Sequence, residues 1–152
     1  PAPKPSNTPV PSVPDVIVDD ATHEFGVVSS QDAWQVYTQA GGQHYGNTHR
    51  YNPQRGSGQD VATFYFAVPR SGRYAVYAWW WDGEWRATDV PYIIQHLDGV
   101  NTVRVNQRIN GGKWNLLGTY RFVSGGTVKV TDGATNGQDI VADAIRLVYA
   151  GP

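Results

Sequence analysis

The sequence predicts an all-β domain folded as an antiparallel β-sandwich of the jelly-roll kind, and three observations predict it. Short runs rich in Val, Ile, Thr, Tyr and Trp alternate apolar with polar residues, the period of a strand with one buried face. Clusters of Gly, Pro, Asn and Asp recur between those runs, as the many turns of a sandwich require. Seventeen Gly, six Trp and nine Tyr stand against no Met and few Leu, a composition suited to strands and turns rather than helices. With 152 residues the chain fits one domain, since about 150 residues bury roughly 70% of the unfolded surface without staples.

Residues Pro1–Pro14, PAPKPSNTPVPSVP, carry proline at nearly every second or third place and read as an extended polyproline-like arm. Such an arm implies a linker to a tethered N-terminal partner and little stability of its own. The sandwich occupies residues 15–150, with strands expected at Val16–Asp19, Trp34–Thr38, Val61–Val68, Gly72–Trp81, Tyr92–Leu97, Thr102–Gln107, Trp114–Phe122, Thr127–Thr131 and Ile140–Val148. Asp98-Gly99 marks a hairpin; Pro69 to Gly72 and Ser124 to Gly126 mark further turns. Val103 and Val105 share one strand face, Thr102 and Arg104 the other. Gly41–Gly58, rich in Gly, Asn, Gln and His, reads as one long loop, a place where function concentrates.

Twelve basic residues against thirteen acidic ones give a formal charge of −1, which supplies no electrostatic footprint for nucleic acid or an anionic membrane. No apolar run approaches the ~20 residues that span a bilayer, and no signal-peptide pattern opens the chain, so a soluble, processed piece is expected. Without cysteine there is neither a disulfide framework nor a thiolate metal site. Nucleophile elbows, His-Glu-x-x-His and phosphate-binding glycine loops are all missing. His44 and His49 share a glycine-rich stretch without a third His or Cys at a recognised spacing, which argues against a metal site there. No pair of carboxylates is placed across a cleft by spacing alone, so a hydrolase is only a nominal reading.

Two features ask for an explanation. Asp143 sits inside the apolar run Ile140-Val141-Ala142-Asp143-Ala144-Ile145, and a buried carboxylate must be paired, hydrogen-bonded or bound to a cation. Asp19 and Asp20, with Asp139, are candidate oxygen ligands for a structural calcium. The second feature is aromatic: in Tyr74-Ala75-Val76-Tyr77-Ala78-Trp79-Trp80-Trp81, Trp80 cannot share a face with Trp79 and Trp81. Trp81 and Trp85 flank the turn Asp82-Gly83-Glu84, where burial is harder, and stand beside Arg86. Indoles at a loop rim with polar neighbours suit a sugar, the ring stacking on the pyranose face while the polar groups bond its hydroxyls.

The blocks Tyr74–Trp80, Arg86-Ala87-Thr88, Val90-Pro91-Tyr92, Val103–Gln107, Asn110–Gly118 and Val141–Arg146 resemble, in order and spacing, the C-terminal domain shared by golvesin and xanthan lyases. Ile17-Val18-Asp19, Phe25, Trp34 and His44-Tyr45-Gly46 through Tyr51 extend the resemblance over about Val16 to Val148. It implies a galactose-binding-like β-sandwich appended to secreted bacterial proteins, without catalysis, and an extracellular module that binds polysaccharide or cell-wall glycan. Trp81, Trp85, Arg86, Tyr45, Tyr51 and Trp114 are then the candidate ligand-binding residues. Trp81 and Trp85 depart from the small residues the family carries there, which fits either a stronger aromatic platform or a contact with a neighbouring subunit. Arg86 fits either ligand contact or an internal ion pair with Asp143. The competing function is a structural or assembly domain of a surface complex whose proline-rich arm docks on a neighbouring subunit.

Overall fold

The computed structural model describes residues 2, 11–28 and 33–152, and its regular structure there is entirely β. One sheet runs in the order β1 (Val16–Asp19), β12 (Ala144–Gly151), β6 (Gly72–Trp79), β9 (Asn115–Phe122). A second runs β2 (Phe25–Val28), β5 (Val61–Ala67), β10 (Gly125–Thr131), β7 (Val90–His96), β8 (Gly99–Val105). A small third sheet joins β11 (Ile140–Ala142), β4 (His49–Asn52) and β3 (Gln35–Tyr37). Every ladder between these strands is antiparallel.

The inward rows of the two large sheets make one core. Along β6, Tyr74, Val76 and Ala78 are buried while Ala75, Tyr77 and Trp79 on the other face are half-buried. That alternation follows from the pleat. Phe66 of β5 meets Phe122 of β9 across the layers, edge to face at 5.2 Å, and Trp80, one residue beyond β6, meets Tyr92 of β7 at 6.3 Å. Such contacts, with Val90, Ile94, Val128, Val130, Ile145 and Leu147 all buried, supply the apolar area that holds the layers together.

Most expected strands form within a few residues of their anticipated ends, and three differences are informative. The run expected as one strand, Ile140–Val148, breaks at Asp143, where the chain leaves the small sheet and enters the first large one. The stretch Gly41–Gly58 contains β4, and β2 was not anticipated at all; both are short, and β4 is polar in composition, so neither shows an apolar period. Pro91 is accommodated inside β7 because the pairing with β10 begins at Tyr92, so its missing N–H costs no bond on that side. The hairpin at Asp98-Gly99 forms, with His96 opposite Gly99. Of the proline-rich arm, residues 1 and 3–10 lie outside the described residues. Val13, in the arm expected to contribute almost nothing, packs half-buried against the core.

Gln107 shows what the core asks of its polar members. Fully buried, it accepts from the Val141 N–H at 2.9 Å and donates to the Val141 carbonyl at 2.8 Å and to the Tyr92 hydroxyl at 3.1 Å. It thereby fastens the β8–β9 connection to β11. Gln107→Leu keeps the volume but leaves three buried groups without partners, and is expected to cost about 2–3 kcal/mol in urea unfolding. A cost under about 0.5 kcal/mol would mean that the site relaxes to pair those groups by other means.

Candidate functional site

Four connections meet at one end of the sandwich: β3 to β4, β6 to β7, β8 to β9, and β10 to β11. Three of them are fastened by one pair of side chains. Gln43 donates to Asp82 Oδ1 at 3.1 Å and accepts from the Asp82 N–H at 2.8 Å, while Asp82 Oδ2 accepts from the Gly111 N–H at 2.8 Å. The Trp79 indole N–H donates to the Gln43 carbonyl at 2.6 Å, and the Trp80 N–H to the Ile109 carbonyl at 3.0 Å. Both indoles thus find the polar partner that burial demands. The fourth connection joins through Gln138 N–H to Trp85 O at 2.9 Å and a bridge between Arg86 and Asp139.

Between these connections and the small sheet lies a cleft of about 320 Å³, lined by Tyr37, His49, Tyr51, Trp81, Arg86 and Asp139. Its walls are rings. Tyr37 stacks on His49 at 5.0 Å and meets the edge of Trp81 at 5.5 Å; Trp81 in turn meets His44 at 4.8 Å. Gly42, at φ +80°, lies against the Trp81 six-membered ring where any side chain would collide with it, so one part of the indole is covered by the loop. The cleft is half polar by chemistry: Arg86 pairs with Asp139, and Arg86 Nε also donates to the Trp81 carbonyl at 3.2 Å. Burial, with Arg86 and His44 nearby, pushes His49 down to about 3, so its imidazole is neutral at any physiological pH.

Three of the anticipated site residues, Trp81, Arg86 and Tyr51, therefore meet in one cleft. Tyr45 and Trp114 do not join them; they pack with Trp79 on the outer face of the first sheet, with centroids 5.0 to 5.6 Å apart. Trp85 stands apart at 65% exposure. Trp81, expected as an exposed rim indole, is half-buried because the loop carrying Gly42 and His44 folds onto it. Arg86 takes Asp139, rather than Asp143, as its ion-pair partner. Tyr37, His49 and Asp139 complete the cleft lining, although the sequence offers none of them as a ligand-binding residue. The signal for His49 and Tyr51 was their spacing of two, which places both on one face once β4 is recognised as a strand.

Carboxylates gather on the other side of the same loop. Asp139, expected beside Asp19 and Asp20, is engaged with Arg86; Asp143 takes that place. Burial pushes Asp143 up to about 9, with Asp20 and Asp19 adding to it, and burial with Asp19 close by pushes Asp20 up to about 7. Asp19 is raised too, chiefly by burial. A second set, His44, His49 and Asp143, also lies close together. Its two Nδ1 atoms, however, are 3.0 Å apart and bonded to each other, and His44 Nε2 is held by the Gln39 carbonyl at 3.0 Å.

Residues 16–149 match the Golvesin C-terminal domain family. Xanthan lyase of Bacillus sp. (strain GL1) is 34% identical over 146 residues, which make 93% of this chain and 15% of that protein. The chain thus spans about 15% of the length of the curated relative it matches. The solved structure of a Paenibacillus xanthan lyase superposes with a TM-score of 0.80 at 38% identity, covering 90% of this chain and 13% of that one. A family 35 carbohydrate binding module from Clostridium thermocellum matches over 90% of this chain and 99% of its own, with a TM-score of 0.58 at 13% identity, a likeness of fold.

Proposed function

The chain belongs to the Golvesin C-terminal domain family, and from that membership and the cleft we propose a non-catalytic carbohydrate-binding module that holds a secreted bacterial protein against polysaccharide or cell-wall glycan. The observation that carries this reading is the cleft's pairing of ring walls, Tyr37, Tyr51 and Trp81, with the Arg86–Asp139 ion pair. Rings stack on the apolar face of a pyranose, and a guanidinium and a carboxylate side by side offer a donor and an acceptor to neighbouring hydroxyls. Catalysis has less to work with. Hydrolysis of a glycoside by two carboxylates needs a facing pair, and among the described residues Asp139 alone lines the cleft, already held by Arg86. His49, held down to about 3, is too weak a base to take a proton near neutral pH. The proline-rich arm and the small share of the relative's length that the chain spans support an N-terminal partner in the same polypeptide. An extracellular location follows from the ligand class.

Affinity electrophoresis through gels cast with bacterial and plant polysaccharides tests the reading, with retardation by at least one of them expected. The rim is tested on the same gels: Trp85→Ala is expected to leave the melting temperature unchanged, as exposed substitutions shift stability by no more than about 0.5 kcal/mol, and to weaken retardation only a few-fold. The alternative, an assembly domain, draws on the exposure of Trp85, which would serve a protein neighbour as well as a sugar. Light scattering that shows an oligomer dissolved by Trp85→Ala, with no retardation on any gel, would favour it.

A further inference from the structure

We propose that Asp19, Asp20 and Asp143 form a binding site for a hard divalent cation of the calcium class, which fastens the β3–β4 loop to the sandwich from beneath. One oxygen from each of the three carboxylates lies within 4.8 Å of those of the other two. The fold creates this crowding: β1 pairs with β12 so that Asp19 faces Ala144, and the Asp20 N–H donates to the Asp143 carbonyl at 2.8 Å. Asp143 is fully buried, and its Oδ1 has no hydrogen-bond partner among the described residues; the Asp19 Oδ1 is likewise buried and unpartnered. Buried carboxylate oxygens are ordinarily satisfied, so an unpartnered oxygen on each of two clustered carboxylates calls for a ligand.

Charge leads to the same place. Ionised together, as ligands to a cation must be, the three carboxylates would face one guanidinium among the described residues, Arg50, whose Nε is 3.8 Å from Asp20 Oδ2. A cation between the carboxylates would balance the excess and occupy the free oxygens. The donors are all oxygen, the set that calcium takes, whereas the neighbouring imidazoles that a softer metal would want already bond each other through their Nδ1 atoms.

The loop is built to close over this point. Tyr45 N–H donates to Asp143 Oδ2 at 3.1 Å, and Thr48 Oγ1 donates to the Asp20 carboxylate at 3.0 and 3.1 Å. Between them, Gly46 at φ +71° passes Asp19 so closely that an added Cβ would sit 2.9 Å from its Oδ2. The far side of the same loop is the one that lays Gly42 and His44 on Trp81. A cation here is thus positioned to order the loop whether or not the cleft binds sugar.

The test uses the whole chain, stripped with chelator and then melted with and without millimolar calcium. At a hundredfold excess over Kd a site of this kind raises the melting temperature of a domain this size by about 5–10 °C. Terbium, a hard calcium substitute, is expected to show luminescence sensitised by the nearby Tyr45 and Trp79 rings, displaced by calcium. Asp143→Asn keeps the shape and is expected to weaken binding more than about a hundredfold, since even groups behind a metal ligand cost 10 to 100-fold. Asp19→Asn, at a half-buried position, serves if the first variant fails to fold. An unchanged melt together with absent terbium luminescence overturns the proposal. So does a response that survives both substitutions, or one given by zinc alone.

Discussion

Trp80→Ala is expected to destabilise the domain by about 3–5 kcal/mol, the cost of removing a large ring from a core that cannot close over the gap. The side chain is 3% exposed, packs against Tyr92 of the opposite sheet, and anchors the β8–β9 connection through the Ile109 carbonyl. Its loss opens a cavity between the two layers and leaves that carbonyl without its donor. Urea unfolding followed by far-ultraviolet circular dichroism reads the effect as a lower midpoint at an unchanged slope. A change below about 1 kcal/mol would show that Trp80 is not the inter-layer plug its burial indicates.

That residue also marks how far the sequence could be read. From Tyr74 onward each second side chain has to turn the same way, which sets Trp80 apart from Trp79 and Trp81; which row is the core emerges only from the structure, where Tyr74, Val76, Ala78 and Trp80 are buried and Trp79 lies on the outer face. The period failed where strands were short. His49–Asn52 carries its pattern over four residues, too few to stand out between glycines, and the small sheet it centres stayed hidden. With it went His49 and Tyr37 as cleft residues.

Partners across the sheets were the other gap. A carboxylate at Asp143 needed a counterpart, but which one depends on how β1 registers against β12 and where the chain changes sheets. The family resemblance admits Asp143 as one of two roles for Arg86, the other being ligand contact, and oxygen-ligand chemistry offers Asp139 to Asp19 and Asp20. The fold exchanges them, since the bridge between Arg86 and Asp139 brings that pair together and leaves Asp143 to the carboxylates of β1. Tyr45 and Trp114 were drawn into the expected site as aromatic loop residues, yet their rings close the outer face of the first sheet, with Arg146 over Trp114 at 6.0 Å.

Trp81→Ala is expected to weaken polysaccharide binding by about five- to 150-fold, the loss that 1–3 kcal/mol of ring stacking implies. The indole supplies one wall of the cleft and also holds the others in place, through Tyr37 at 5.5 Å, His49 at 5.6 Å and His44 at 4.8 Å. Because it is half-buried rather than free at the rim, the change also costs stability, about 1–2 kcal/mol, less than the loss at Trp80. Binding and stability are separated by Trp81→Phe, which restores a ring face to the wall without the full indole. Affinity electrophoresis on the three proteins, beside thermal melts, should place Trp81→Phe between wild type and Trp81→Ala in retardation. Should Trp81→Ala lose stability while its retardation matches wild type, the ring is packing for the loop alone, and the sugar would have to be sought on another face of the sandwich.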